Sequence, residues 1–109
     1  MERTCFNTEL SIKNLNETVT LVGWVSKRRN LGSILFVDLR DRSGIIQIVI
    51  NETVDAPDIR NEYVISVKGT VSKRANANPN LKTGEIEIIA SEVTLVNTAK
   101  TTPLIIADE

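Results

Sequence analysis

Histidine is absent from this chain, and cysteine occurs once, at Cys5. Without histidine there is neither the usual general base nor the commonest neutral metal ligand. A single cysteine excludes an internal disulfide and is too little for a cysteine-based metal site. If the chain belongs to an enzyme, the chemistry is expected elsewhere. Aromatic residues are scarce as well: two Phe, one Trp and one Tyr. No stretch approaches the roughly 18 consecutive apolar residues of a membrane span. The opening Met1-Glu2-Arg3-Thr4-Cys5 carries no apolar signal segment, so an intracellular location is expected, with no membrane partner. Internal repeats and low-complexity segments are missing too.

What is there suits one domain with a modest core: 109 residues, 41% of them hydrophobic. The net charge of −1 argues against a protein that coats nucleic acid nonspecifically. Its distribution is uneven. Residues 1–42 hold seven Lys/Arg and five Asp/Glu, whereas residues 85–109 hold one and five. Charge in this pattern solvates ordinary sheet faces, or marks a local contact patch in the first half.

Alternation of apolar and polar residues predicts five strands. The first spans about Val19 to Arg29, the second Ser33 to Asp41 and the third Gly44 to Asn51. Asn30 with Gly32, then Ser43-Gly44, supply turn residues between them. The fourth strand runs from Tyr63 to about Arg74, with Gly69 marking a bulge or bend in its middle. The fifth runs from Glu85 to about Asn97. Ser11–Leu15 reads as a helical turn or loop. Glu52 to Glu62 interrupts the pattern, and Asp55 is placed to cap a short helix with Pro57 in its first turn. Ala75–Gly84 reads as a polar loop without propensity for regular structure, and Thr98–Glu109 as a linker. The fold expected is all-β: a five-stranded Greek-key OB-fold barrel over residues 1–97, with a short helix between strands three and four. An SH3-like barrel or open sandwich is the alternative topology.

The second strand sends Leu35, Val37 and Leu39 one way and Phe36, Asp38 and Arg40 the other. Phe36 is then a large apolar ring on a charged face. In the third strand Gln47 points away from Ile46, Ile48 and Ile50. With Lys27, Arg28 and Arg29 ending the first strand, these are the parts of a single-stranded nucleic-acid platform. A ring stacks a base, an amide reads its edge and cations hold phosphates. Trp24 is assigned to the core, since Val22 shares its parity.

Gly23-Trp24-Val25 with Arg28-Arg29, Phe36-Val37-Asp38-Leu39-Arg40-Asp41-Arg42, Gly44-Ile45-Ile46-Gln47 and Asn78-Pro79-Asn80-Leu81-Lys82-Thr83-Gly84-Glu85-Ile86-Glu87 together resemble the N-terminal anticodon-binding domain of bacterial-type aspartyl-tRNA synthetases. The resemblance runs from Arg3 to the Pro103 tail. It implies a tRNA anticodon stem-loop as partner, and a full enzyme that is a cytoplasmic class II homodimer using ATP and magnesium. The isolated domain is expected to be a monomer without catalysis or cofactor, its linker leading toward an absent catalytic domain.

By the same resemblance, Phe36 stacks on the middle anticodon base, a uracil, and Gln47 and Glu87 contact the first and middle bases. Arg28 and Arg29, with Lys27, grip phosphates or base edges. Arg74 is a loop-entry cation, and Ser72 replaces an arginine often found there. Asn76 and Asn78 approach the third base. Leu31 lies near it too, where members that also charge asparagine tRNA often carry histidine, which points to an aspartate-specific parent. Two other functions fit an OB-fold: a free-standing binder of single-stranded nucleic acid, and a protein-interaction module. The small number of aromatics favours reading a few bases.

Overall fold

Val19, Leu21 and Val25 alternate inward along β1 (Thr18–Leu31), and Gly23 between them lets the strand pass close under a neighbour. A Cβ at Gly23 would run into the backbone carbonyl of Arg40. β1 can therefore bend enough to pair with β4 (Val64–Lys73) through Thr18–Trp24 and with β2 (Ile34–Asp41) through Trp24–Leu31. Together with β3 (Gly44–Asn51) and β5 (Ile86–Asn97) the strands close a barrel in the order β1-β2-β3-β5-β4. The computed structural model describes residues 6–54, 56, 59–75, 77–79, 81 and 83–97. Asp55, Pro57, Asn76 and the 98–109 segment expected as a linker lie outside the described residues.

The expected five-stranded barrel is the observed architecture, with strand ends differing by one or two residues. All pairings are antiparallel except β3 with β5, which run parallel through Gln47–Glu87, Ile48–Ile88 and Val49–Ile89. Inside, Leu21, Val25, Val37, Leu39, Ile46, Ile48, Ile65, Val67, Val71, Ile86 and Ile88 are fully buried. Gly69 sits beside a register shift between β4 and β5, where a side chain would strike the carbonyl of Ile89. Ile12–Asn14 forms a 3₁₀ turn, capped by the Ser11 hydroxyl accepting from the Lys13 N–H at 3.2 Å.

Two local expectations change. The residues described between β3 and β4 contain turns and no helix. Val54 N–H donates to Asn51 C=O at 3.0 Å, and Glu62 turns the chain with a φ of 73°. That segment sends Ile59 into the core, with Val54 and Ala56 packed against it. Trp24 is not in the core: Leu21, Gly23 and Val25 occupy the inward positions, leaving Val22 and Trp24 half-buried on the outer face. Asn7, to which no role was given, is fully buried. Its side-chain amide donates to the carbonyls of Leu39 (2.8 Å) and Gly44 (3.0 Å), and its backbone N–H to Asp41 Oδ2 (2.8 Å). Asp41 Oδ1 accepts in turn from the Ser43 N–H, the Ser43 hydroxyl and the Gly44 N–H. The β2–β3 turn is thereby tied to the N-terminal segment, and the Arg42 guanidinium lies 4.5 Å from the Phe6 ring centre.

Ile59→Ala is expected to destabilise the domain by about 2–5 kcal/mol, the range for removing a buried aliphatic side chain. Urea denaturation reads this directly, and an unchanged midpoint would show that the β3–β4 segment does not seal the barrel.

Candidate nucleic-acid interface

The direction of the cations is set by a break in register. β1 and β2 pair Val25 with Leu39 but Lys27 with Asp38, so Ser26 is an extra residue in β1. A bulge of this kind re-aims the side chains beyond it. Val25 is inward, and strict alternation would send Lys27 and Arg29 inward and Arg28 outward. With Ser26 bulged, Arg29 stands opposite Phe36, and Leu31 opposite Ile34, on the outer face. Arg28 stands opposite Val37, on the other side of the β1–β2 ribbon. The sequence grouped Arg28 with Arg29; the structure separates them.

Register then carries two rows across the sheet. One runs Arg29, Phe36, Val49, Ile89, Thr70; the other runs Lys27, Asp38, Gln47, Glu87, Ser72. Side chains of both rows meet. Arg29 Nη2 donates to Gln47 Oε1 at 3.2 Å, and Gln47 Nε2 donates to Glu87 Oε1 at 2.8 Å. The Arg29 guanidinium carbon lies 5.5 Å from the Phe36 ring centre, within cation–π range. A cavity of about 350 Å³ opens here, lined by Arg29, Leu31, Ile34, Phe36, Gln47, Val49, Arg74, Ala75 and Glu87.

Six of the ten residues singled out from the sequence line this cavity: Arg29, Leu31, Phe36, Gln47, Arg74 and Glu87. Lys27 shares the face without lining the cavity, and Arg28 is turned away. Asn78 does not line it; its backbone N–H donates to Gly84 C=O at 2.8 Å, and its carbonyl accepts from Leu81 N–H at 3.2 Å. Gln47, read as solvent-facing, does point outward but is only 6% exposed, covered by Arg29 and Glu87. Ile34, Val49 and Ala75 were missed. The parity of Ile34 with Phe36, and of Val49 with Gln47, carried the signal for two of them; nothing marked Ala75.

The described residues of the β4–β5 loop make backbone bonds that its composition did not suggest. Beyond the Asn78 bonds, Gly84 N–H donates to Leu81 C=O, and Arg74 N–H donates to Glu85 C=O at 3.0 Å. Gly84 packs so tightly against the Asn78 carbonyl that a side chain has no room there. The Thr83 hydroxyl donates to Ile45 C=O on β3.

Chemically, the site offers a ring for stacking, a cation beside it and an amide held between a donor and an acceptor. Among the described residues no group of three or more His, Cys, Asp or Glu is placed to hold a metal. No helix among them is long and apolar enough to cross a membrane.

Comparison with known proteins identifies the family and the fold. A family described as an OB-fold nucleic acid binding domain, the tRNA anti-codon family, matches residues 19–96. The chain is 47% identical to an aspartate–tRNA ligase of Lactococcus lactis subsp. lactis over 116 residues, covering 100% of this chain and 20% of that protein. It is 49% identical to an aspartate–tRNA(Asp/Asn) ligase of Bacillus subtilis, covering 98% of this chain and 19% of that one. The chain thus spans about one fifth of the length of the curated relatives it matches. The fold is shared with asparaginyl-tRNA synthetase from Pyrococcus horikoshii: TM-score 0.72, 22% identity, 94% of this chain and 24% of that one. It is shared equally with an OBody bound to hen egg-white lysozyme: TM-score 0.75, 21% identity, 91% of this chain and 97% of that one.

If Phe36 belongs to the face and not to the core, Phe36→Ala should cost about 1 kcal/mol or less in stability. Leu39→Ala, three residues on and fully buried, should cost about 2–5 kcal/mol. Thermal melts of the two variants provide the comparison, and equal losses would move Phe36 into the core.

Proposed function

The chain belongs to the OB-fold nucleic acid binding domain family, and from that premise we propose that it reads the anticodon of aspartate tRNA as the N-terminal domain of an aspartate–tRNA ligase. The observation that carries the proposal is the arrangement of Arg29, Phe36, Gln47 and Glu87 around one cavity. Phe36 stacks the middle base, a uracil, with a gain of roughly 1–3 kcal/mol that by itself favours no base. Selection falls to Gln47 and Glu87. An amide both donates and accepts, and a carboxylate accepts only, so a base edge with the wrong pattern leaves a polar group unpaired. Arg29 contacts both the ring and the amide and directs its guanidinium fork toward the anticodon backbone. Lys27 and Arg74 flank the cavity for phosphates. Ser72 stands opposite Glu87 in register, so the arginine often found there would have faced that carboxylate.

Activation of aspartate with ATP and magnesium, transfer to tRNA, dimerisation and a cytoplasmic location are proposed for the whole ligase and not for this domain. Aspartate–tRNA and aspartate–tRNA(Asp/Asn) ligases match this chain almost equally well, so identity does not separate the two specificities. Leu31, 58% exposed at the cavity rim, favours an aspartate-specific parent. A leucine makes no hydrogen bond to accommodate a second base.

The domain should bind an aspartate anticodon stem-loop with an affinity that falls as salt rises, since phosphate contacts release counterions. Replacing the middle uracil should weaken binding, and Phe36→Ala should weaken it by roughly 1–3 kcal/mol. Arg29→Ala should cost more than Arg28→Ala, because only Arg29 faces the cavity. Fluorescence titrations at two salt concentrations test all of this, and binding indifferent to both salt and the middle base would sink the proposal.

The same titration with stem-loops carrying the aspartate or the asparagine third base tests Leu31. Tighter binding of the aspartate form is expected, and equal affinity would remove the case for an aspartate-specific enzyme.

A further inference from the structure

We infer that Thr83 is a positioning residue for base selection, acting through Glu87 on the direction in which Gln47 presents its amide. The inference rests on the anticodon reading above and adds to it a residue outside the cavity. The seam between β3 and β5 is the shortest pairing in the barrel and begins at Gln47 and Glu87. Ahead of that point the backbone ladder gives way to a side-chain bond: the Thr83 hydroxyl donates to Ile45 C=O, two residues before Gln47. Thr83 is only 2% exposed, and the bond it makes is part-buried. The Thr83 carbonyl accepts from Ile86 N–H at 3.1 Å, a turn that delivers the chain directly into β5. Thr83 therefore fixes where β5 starts relative to β3, and with it the placement of Glu87 opposite Gln47.

That placement matters because a glutamine amide has two nearly isosteric ends. Arg29 on Oε1 and Glu87 on Nε2 hold it one way round. If Glu87 shifts, Nε2 loses its acceptor, and only the longer bond from Arg29, at 3.2 Å, still sets which way round the amide is presented. A base edge is then no longer read against a fixed pattern, although Phe36 and the cations still bind RNA.

The test compares wild type with Thr83→Val, which keeps the shape and removes the hydroxyl, and Thr83→Ser, which restores it. Two quantities are measured: the side-chain amide proton resonances of Gln47 in the free domain, and the affinity ratio for stem-loops with uracil or cytosine in the middle position. Thr83→Val should shift the Gln47 resonances and reduce the ratio by about tenfold, and Thr83→Ser should keep both near wild type. Glu87→Gln should also reduce the ratio, and adding Thr83→Val to it should reduce the ratio no further, because both act through one carboxylate. Wild-type resonances and ratio in Thr83→Val, or losses that multiply in the double variant, overturn the inference. Protection of the Thr83 hydroxyl proton from exchange in the wild-type domain tests the same bond without a substitution, and fast exchange overturns it. If wild type shows no middle-base preference, the anticodon reading falls, and the Gln47 resonances alone decide the positioning role of Thr83.

Discussion

Closing a five-stranded barrel obliges β1 to hydrogen-bond with two partners that diverge. Its first half follows β4 and its second half follows β2. Gly23 makes the bend possible by leaving room for the Arg40 carbonyl, and the Ser26 bulge follows directly. A bulge locally increases strand twist and shifts parity by one residue. The same feature that helps β1 pass between partners also turns Lys27 and Arg29 onto the outer face, beside Phe36. The proposed binding face is in this sense a product of how the barrel closes.

The face has an unusual internal economy for an exposed surface. Gln47 is 6% exposed and both ends of its amide are engaged, one by Arg29 and one by Glu87. A buried amide with unmet hydrogen bonds would cost about 1–3 kcal/mol, so these two neighbours stabilise the free domain as well as shape the site. Holding polar groups in place before a ligand arrives removes part of the ordering cost of binding. Val49 and Ile34 supply an apolar lining beside them, which limits the water that would otherwise weaken each polar contact.

Most of the barrel was legible in the alternation of the strands, since each reads cleanly where one face is buried. The failures share a cause: each depends on a tertiary relation that alternation does not contain. Arg28 was grouped with Arg29 because a one-residue bulge has no signature in Val25-Ser26-Lys27. Trp24 was assigned inward because it shares parity with Val22, although Gly23 holds the inward position at the bend. Ile59 was hidden in a segment that reads as a helix with a capping Asp and an early Pro. Its role comes from the opening it fills. Asn7 offered no pattern at all, because its partners, Leu39, Asp41 and Gly44, lie more than thirty residues away. In the site, Phe36 and Gln47 were readable from parity alone. The pairing of Gln47 with Glu87 was not, because it depends on the parallel β3–β5 seam.

A net charge of −1 and four aromatic residues are poor equipment for a protein that must hold any single strand it meets. They are adequate for one that reads a short segment held in a structured loop. Electrostatic affinity needs only a few cations on one face, and in the proposed site Arg29, Lys27 and Arg74 provide them. Stacking adds strength without discrimination. Discrimination then rests on few atoms: an amide whose two ends are distinguished by Arg29 on one side and Glu87 on the other. On the inference drawn above, such a site depends on the register of β5, because the Gln47–Glu87 bond spans the β3–β5 seam. The bond from Thr83 to β3, and the glycine packed behind it at Gly84, lie where that register is set. In the proposed reading, Thr83 and Gly84 of the β4–β5 loop, which the sequence presents as an unremarkable polar connection, belong with the strands that carry the site.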